Sequence, residues 1–463
     1  MPSERAVWIA LFALCVGSRL ASTIFYIEDP DSLRFALSMV DYDVARLNPH
    51  FPAYPVFCFV AKGIYLILGS YAVAFSLVGG LSTFLLTYSA LSYARLSVKS
   101  PEGAATTVLL LLNPLMWLMA NRYMPDLMGV ACVVAVYALT AASDHRKAVL
   151  GFMLAGLLCG VRLSYAPIVL PPLLFRMTAA GSRYQLALAG TVGLAAWLLP
   201  LIAITGWGEL IAAAQIQSTG HFGDFGGTIA TEPDIAERLV RLAESIWADG
   251  FGLYWWERHP VTAVPVLALL VLVATGCRSL SRATLADLWL VPVLGCLLYL
   301  VWVFVFQNVI HKSRHILPLL PFLSLALGLA AGALSRRCRP LLRLGLTLCA
   351  VTYGYVTLHL IVQHAYPSAI AQVYDHLKSR EQDNLHVVAT PLIEYYLSAR
   401  GLQATYAPVE TPADLEAVSR IDKPGRLVSV GSRLGDRATV RTFAFYHNPY
   451  VNRMWSELVL YEY

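Results

Sequence analysis

The chain has 463 residues, 57% of them hydrophobic and only 14% charged, with a mean hydropathy of +0.60 and a net charge of +5. A soluble domain carries about a quarter charged residues, so the composition excludes a water-soluble enzyme. So small a charge, gathered in no basic patch, also excludes a nucleic-acid binder.

Apolar runs of about 20 residues, the length that crosses a bilayer, recur along most of the chain. The predicted fold class is therefore an α-helical polytopic membrane protein with about 11 transmembrane helices. Hydropathy places the spans at 6–26, 71–94, 103–120, 124–142, 148–161, 163–177, 184–205, 261–277, 287–306, 316–334 and 341–362. The first is too long for a cleaved signal, and no small-residue cleavage site precedes the acidic stretch that follows it.

Residues 27–52 carry Glu28, Asp29, Asp31, Asp41 and Asp43, mixed with Leu33, Phe35, Leu37 and Val40 at helical spacing. The next segment, from Pro52 to Gly69, is apolar but short and is interrupted by Lys62. It reads as a helix lying along the interface with Lys62 snorkelling. A true span is its competitor and would invert everything downstream.

The charge alternation of the loops argues against that inversion. One set of loops holds Arg5, Arg95, Lys99, Arg146, Lys147, Arg176, Arg183, Arg278, Arg282, Arg336, Arg337, Arg339 and Arg343, against the acids Glu4, Glu102, Asp144 and Asp287. The other set, 27–69, 121–126, 206–260 and 307–315, is rich in acids. Positive loops stay in the cytoplasm, so the amino terminus is predicted inside. The acidic loops and the tail beyond residue 362 are then outside. The compact loops suit a bacterial inner membrane.

The tail, 363–463, changes periodicity. Leu385–Thr390, Arg426–Gly431 and the residues after Ala438, including Glu457–Tyr461, read as strands. Pro391–Arg400 reads as a helix stopped by Gly401, and Thr411-Pro-Ala-Asp414 as a capped helix start. The prediction is a transmembrane module over 1–362, with outer loops 27–69 and 206–260, and a small extracytoplasmic α/β domain over 363–463. The eight cysteines include no CxxC pair, and seven of them lie in apolar sequence, so they are read as small core residues.

Several charges stand where a membrane protein tolerates them only at a cost. Asp31, just beyond the first span, lies within reach of a head group and an external hydroxyl and could serve as a general base. Asp41, Asp43 and Glu28 read more simply as a solvated acidic face. Arg19 and Arg162 are embedded in apolar sequence and face either a cavity or an internal acid. His311-Lys312-Ser313-Arg314-His315 is cationic on the side where orientation does not require it. The motif suits an anion with several oxygens, such as phosphate, or lipid head groups without catalysis. These histidines lack carboxylates at metal-ligand spacing. Asp126 sits in a short turn, Asn121-Arg-Tyr-Met-Pro-Asp126, where a helix cap or an ion pair with Arg122 is equally open. All these groups share the outer end of the bundle.

In this order the motifs resemble the GT-C glycosyltransferases, in the branch of the protein O-mannosyltransferases and lipid A aminoarabinose transferases. Arg19 in the first span precedes Asp29-Pro-Asp31-Ser32, with Phe35 following. His50-Phe-Pro-Ala-Tyr-Pro55 leads into the interfacial helix, which ends at Leu68-Gly69. Asp126 falls in the turn between the third and fourth spans, and Arg314-His-Ile-Leu-Pro318 opens a late span before the small terminal domain. Many relatives have Asp-Glu where this chain has Asp31-Ser32, and Lys-Pro-Pro near Phe51–Pro55, a departure that bears on sugar and acceptor.

The resemblance implies a polyprenyl-phosphate-sugar donor held in membrane lipid, and inversion at the anomeric carbon with Asp31 as base. The acceptor hydroxyl belongs to a protein, a lipid or a glycan. Arg162, His311, Lys312, Arg314 and His315 would face the donor phosphate. Asp126 would orient the base or a divalent metal ion, with Arg19, Asp29, His50 and Arg122 in support; metal use stays open. In the 206–260 loop, Gly220–Gly227 and Trp255-Trp256 suggest an acceptor lid, or interface anchoring by the tryptophans. The alternatives are a lipid or sugar transporter or flippase, against which stands the absence of any repeat, and a non-catalytic scaffold.

Overall fold

The computed structural model describes residues 3–179, 181–224, 226–267, 269–271, 282–337, 340–380, 384–419 and 425–463. The expected span at 261–277 lies partly outside the described residues, as do Cys277, Cys338, Arg278 and Arg339.

Helix starts follow the local chemistry of the sequence. Ser3 caps α1 (Glu4–Ala21), and its hydroxyl accepts from the Ala6 N–H. Asp29 caps α2 (Pro30–Val40), and Pro55 opens α3 (Pro55–Leu68), which ends on Gly69 at φ 68°. Ser70 caps α4 (Tyr71–Tyr93). The stretch expected as one span at 103–120 is two helices, α5 (Pro101–Leu111) and α6 (Pro114–Asn121), bent by 52°. The cause lies in Asn113-Pro114. Proline has no N–H to continue α5, and the Asn113 side chain caps α6 by accepting from Met116 N.

Beyond the turn at Arg122–Pro125, α7 (Asp126–Thr140) is buried along nearly its whole length. Next come α8 (His145–Arg162) and α9 (Ala166–Ala179), joined by a 3-10 turn. The stretches expected as separate spans at 148–161 and 163–177 thus form one 35-residue helical run. The α10 helix (Arg183–Thr205) packs on α8 through glycine. A Cβ on Gly193 would stand 2.1 Å from the Met153 carbonyl oxygen, and one on Gly156 2.3 Å from that of Gly190.

The 206–260 segment is itself largely helical, with α11 (Trp207–Thr219), α12 (Ile235–Glu244) and a wide turn at Ser245–Gly250. Trp256 is exposed and Trp255 half-buried. Last in the bundle are α13 (Arg282–Phe306), α14 (Leu320–Arg337), entered through the 3-10 segment Ser313–Leu319, and α15 (Pro340–His364). Among the described residues six helical runs are long and apolar enough to cross a membrane, or seven with the bent α5–α6 pair, rather than the eleven expected. The α4 and α7 helices are interior, whereas α10 and α13 turn most of their apolar surface outward.

The terminal domain begins with α16 (Ala369–Lys378), which the sequence reading did not anticipate. Strands β1 (Leu385–Ala389), β2 (Thr405–Pro408), β3 (Arg426–Val430), β4 (Arg441–Tyr446) and β5 (Glu457–Glu462) form one sheet in the order β2-β1-β3-β5-β4. The first three are parallel, with Val387 opposite Tyr406 and Val428, and β5 is antiparallel to β3 and β4. The strand alternation divides two cores. Val387 and Val428 face α16 and α17 (Pro391–Ala399), and Val388 and Leu427 face α18 (Pro412–Ser419).

The sheet domain is joined to the end of α1. Tyr26 donates to the His364 carbonyl at 2.9 Å, Ser368 to that of Glu28 at 2.7 Å, and Tyr396 to that of Ile27.

Candidate active site

The chain turns sharply after α1, and Pro30 starts α2, with Asp29 as its cap and Asp31 in its first turn. The Asp29 carboxylate is spent locally, accepting from Ser32 N at 2.7 Å. Asp31 reaches across to the 3-10 segment that opens α14. Its Oδ2 accepts from Arg314 Nη2 at 2.6 Å and from Lys312 Nζ at 3.0 Å, and Arg34 Nη1 is 3.5 Å from Oδ1. Burial pushes the Asp31 carboxyl up, but Lys312 and Arg314 more than reverse this and hold it well below the usual carboxylate range. Asp29 goes the other way, raised first by burial and then by the charges of Asp31 and Glu28. Two carboxyls in one helical turn are thus pushed apart in acidity.

His50 lies close by, its ring edge-on to Phe35 and its Nε2 3.2 Å from the Tyr54 hydroxyl. Burial drives its imidazole down to about 3, so it is neutral at physiological pH.

The other predicted residues separate into distinct pairs. Asp126, fully buried, stands 3.1 Å from Arg162 Nη2, so Arg162 faces an acid of its own and not the Asp31 cluster. Arg122 does not pair with Asp126 four residues on. It reaches Glu28 at 2.5 Å and donates to the Val451 carbonyl at 2.6 Å, and His364 meets the second Glu28 oxygen at 3.0 Å. Burial alone would raise Glu28, but Arg122 and His364 outweigh it and hold the carboxyl at about 2.

Arg19 is buried away from the cluster, where it donates to the Leu111 carbonyl at 2.9 Å and lies 3.7 Å from the Trp117 ring centre. His311 is exposed and turned to Glu232 at 3.5 Å. His315 is buried, and its carbonyl accepts from Tyr299.

A small polar pocket opens beside Asp31, lined by Asp29, Arg122, His311, Lys312, Ser313, Arg314 and, from the hairpin between β4 and β5, Val451, Asn452, Arg453 and Met454. Arg453 escaped the sequence reading as an ordinary charge in a polar segment, and its partner Asp249, though flanked by apolar residues, as one of eight acids in the 206–260 loop. Burial raises the Asp249 carboxyl to about 6, in spite of Arg453 beside it.

Among the described residues no three His, Cys, Asp or Glu side chains converge as a metal-ligand set. Asp126, tied to a divalent metal by the resemblance, faces an arginine instead. These residues do not fit a metal site.

No protein-family model and no curated protein matches the sequence. Solved structures match it in shape. ArnT from Cupriavidus metallidurans in the apo state superposes with a TM-score of 0.57 at 14% identity, over 99% of this chain and 98% of that one. ArnT from the same organism bound to undecaprenyl phosphate gives 0.55 at 14% identity, over 98% of each chain. The chain therefore has the fold of ArnT over nearly its whole length, the architecture that the order of its motifs predicted.

Proposed function

We propose that the protein is a membrane glycosyltransferase of the GT-C kind. It moves a sugar from a polyprenyl-phosphate donor to an acceptor hydroxyl at the outer face of the inner membrane, with inversion and with Asp31 as base. The observation that carries this reading is the meeting of Asp31 with Lys312 and Arg314, 281 and 283 residues away, beside a polar pocket at one end of an apolar bundle. One carboxylate facing three cations leaves positive charge in excess, which suits a second anion. The sharing of its fold with ArnT, one structure of which holds undecaprenyl phosphate, supports a polyprenyl phosphate as that anion.

In the resting site Asp31 is too weak a base, because Lys312 and Arg314 stabilise its ionised form. The donor phosphodiester takes over these two cations and so restores the carboxylate's basicity. The acceptor O–H then gives its proton to Asp31 as its oxygen bonds to the anomeric carbon. The bond from that carbon to the phosphate oxygen breaks, and its electron pair leaves with the phosphate. The product monoester carries about −1.5 to −2, more than the diester, so Lys312 and Arg314 hold the leaving group more tightly than the donor. Neutral His50, beside Tyr54, offers the acceptor a hydrogen-bonding group without competing for the proton.

On this reading residues 1–362 form the catalytic membrane module and 363–463 an outer domain. The loop charges support the sidedness.

The test is reconstitution in lipid vesicles with a panel of polyprenyl-phosphate sugars and a membrane extract as acceptor. Release of free polyprenyl phosphate from at least one donor is expected. Movement of intact sugar lipid across the vesicle without any release would favour a flippase.

A further inference from the structure

The donor pocket has a wall that comes from the terminal domain. The β4–β5 hairpin lines it with Asn452 and Arg453, together with Lys312 and Arg314. It is pinned there from several sides. Arg122 donates to the Val451 carbonyl at 2.6 Å, Arg258 lies 3.9 Å from the Tyr450 ring centre, and the Tyr450 hydroxyl donates to the Trp256 carbonyl at 3.1 Å. The Arg453 side chain is 11% exposed. Its Nη2 stands 2.5 Å from Asp249 and 3.3 Å from Glu244, which Arg241 already holds at 2.9 Å. Its Nη1 and Nη2 are both buried, and neither has a well-aligned hydrogen-bond acceptor among the described residues. Its ion pairs thus leave donors of the fork unspent, at a pocket that Arg122, Lys312 and Arg314 also line.

We propose that Arg453 is a ligand of the donor's phosphate, held for that role by Asp249 and Glu244, so that the terminal domain completes the donor site. This rests on the glycosyltransferase reading and adds to it a phosphate contact from the far end of the chain. A guanidinium presents two parallel donors to a phosphate. In the same pocket as Lys312 and Arg314, it would grip oxygens that those residues leave free. Asp249 and Glu244 are positioning residues, since they touch the phosphate only through Arg453.

The experiment measures binding of undecaprenyl phosphate and of uncharged undecaprenol to the full-length protein, for wild type, Arg453→Gln, Arg453→Lys and Lys312→Ala. Arg453→Gln is expected to weaken undecaprenyl phosphate binding about tenfold or more, the worth of a charge-assisted hydrogen bond, and to leave undecaprenol within about twofold. Arg453→Lys should recover part of the loss. An equal loss for both lipids would make Arg453 structural and overturn the proposal. So would wild-type phosphate binding in Arg453→Gln alongside its loss in Lys312→Ala, a result that leaves the glycosyltransferase reading standing. A wild-type protein indifferent to the phosphate removes that reading and the proposal together. If Arg453→Gln does not fold, Arg453→Lys decides: a phosphate-selective loss supports the assignment and its absence overturns it.

Discussion

Glu28 joins three parts of the chain through one fully buried carboxylate, bonded to Arg122 from the turn before α7 and to His364 at the end of α15. Those partners hold its carboxyl at about 2, below the ordinary glutamate value of 4.5. Its contribution to stability is therefore complete above about 4.5 and is lost as pH falls toward 2. Glu28→Gln should destabilise the protein by about 3–5 kcal/mol at neutral pH, because Arg122 is left buried without its counter-ion. It should also flatten the acid limb of a melting-temperature profile, and a profile parallel to wild type would show that Glu28 is not the titrating group.

At this scale the sequence showed which charges were out of place but not how they pair. Arg162 stood out against apolar sequence, Asp31 by its place just beyond the first span, Lys312 and Arg314 as a cationic run on the outer side, and Asp126 in its short turn. Whether Arg122 meets Asp126 or Glu28 depends on where helix ends converge, which local spacing does not contain. The tight turn Arg122–Pro125 points Arg122 back toward the α1 exit and leaves Asp126 to α8.

Among elements, the contact of α8 with α10 depends on missing side chains. Gly193 and Gly156 let the two backbones touch, and any larger side chain forces them apart. Gly193→Leu should cost at least about 1–3 kcal/mol of overpacking, read as a lower melting temperature in detergent. An unchanged value would mean that the helices do not pack this closely.

Apolar runs made the long helices legible, but not their continuity. The Asn113-Pro114 bend and the 3-10 turn after Arg162 are hydrogen-bonding events that hydropathy averages away. Helix α16 was missed because Ile370, Val373 and Leu377 alternate with polar residues just past a span, and β2 because Thr405–Pro408 is a short edge strand without a buried alternation. Strands β1, β3 and β5, with dense apolar patterns, were read correctly from the sequence.

For the molecule as a whole, sidedness is the claim that the loop charges support. Ser398 is exposed on α17, and the described cysteines are buried or half-buried. Ser398→Cys in intact cells should react with a membrane-impermeant maleimide added outside. Labelling only after permeabilisation would invert the topology and put the site in the cytoplasm.

Sugar transfer as proposed depends on Asp31, and Asp31→Asn is its most direct test. With a donor identified in the vesicle assay, the variant should lose about 10²–10⁴-fold in kcat, the range for removing a general base. Its binding of undecaprenyl phosphate should be undiminished, because the asparagine no longer competes for Lys312 and Arg314. A variant that binds the lipid and transfers sugar at the wild-type rate would contradict the account.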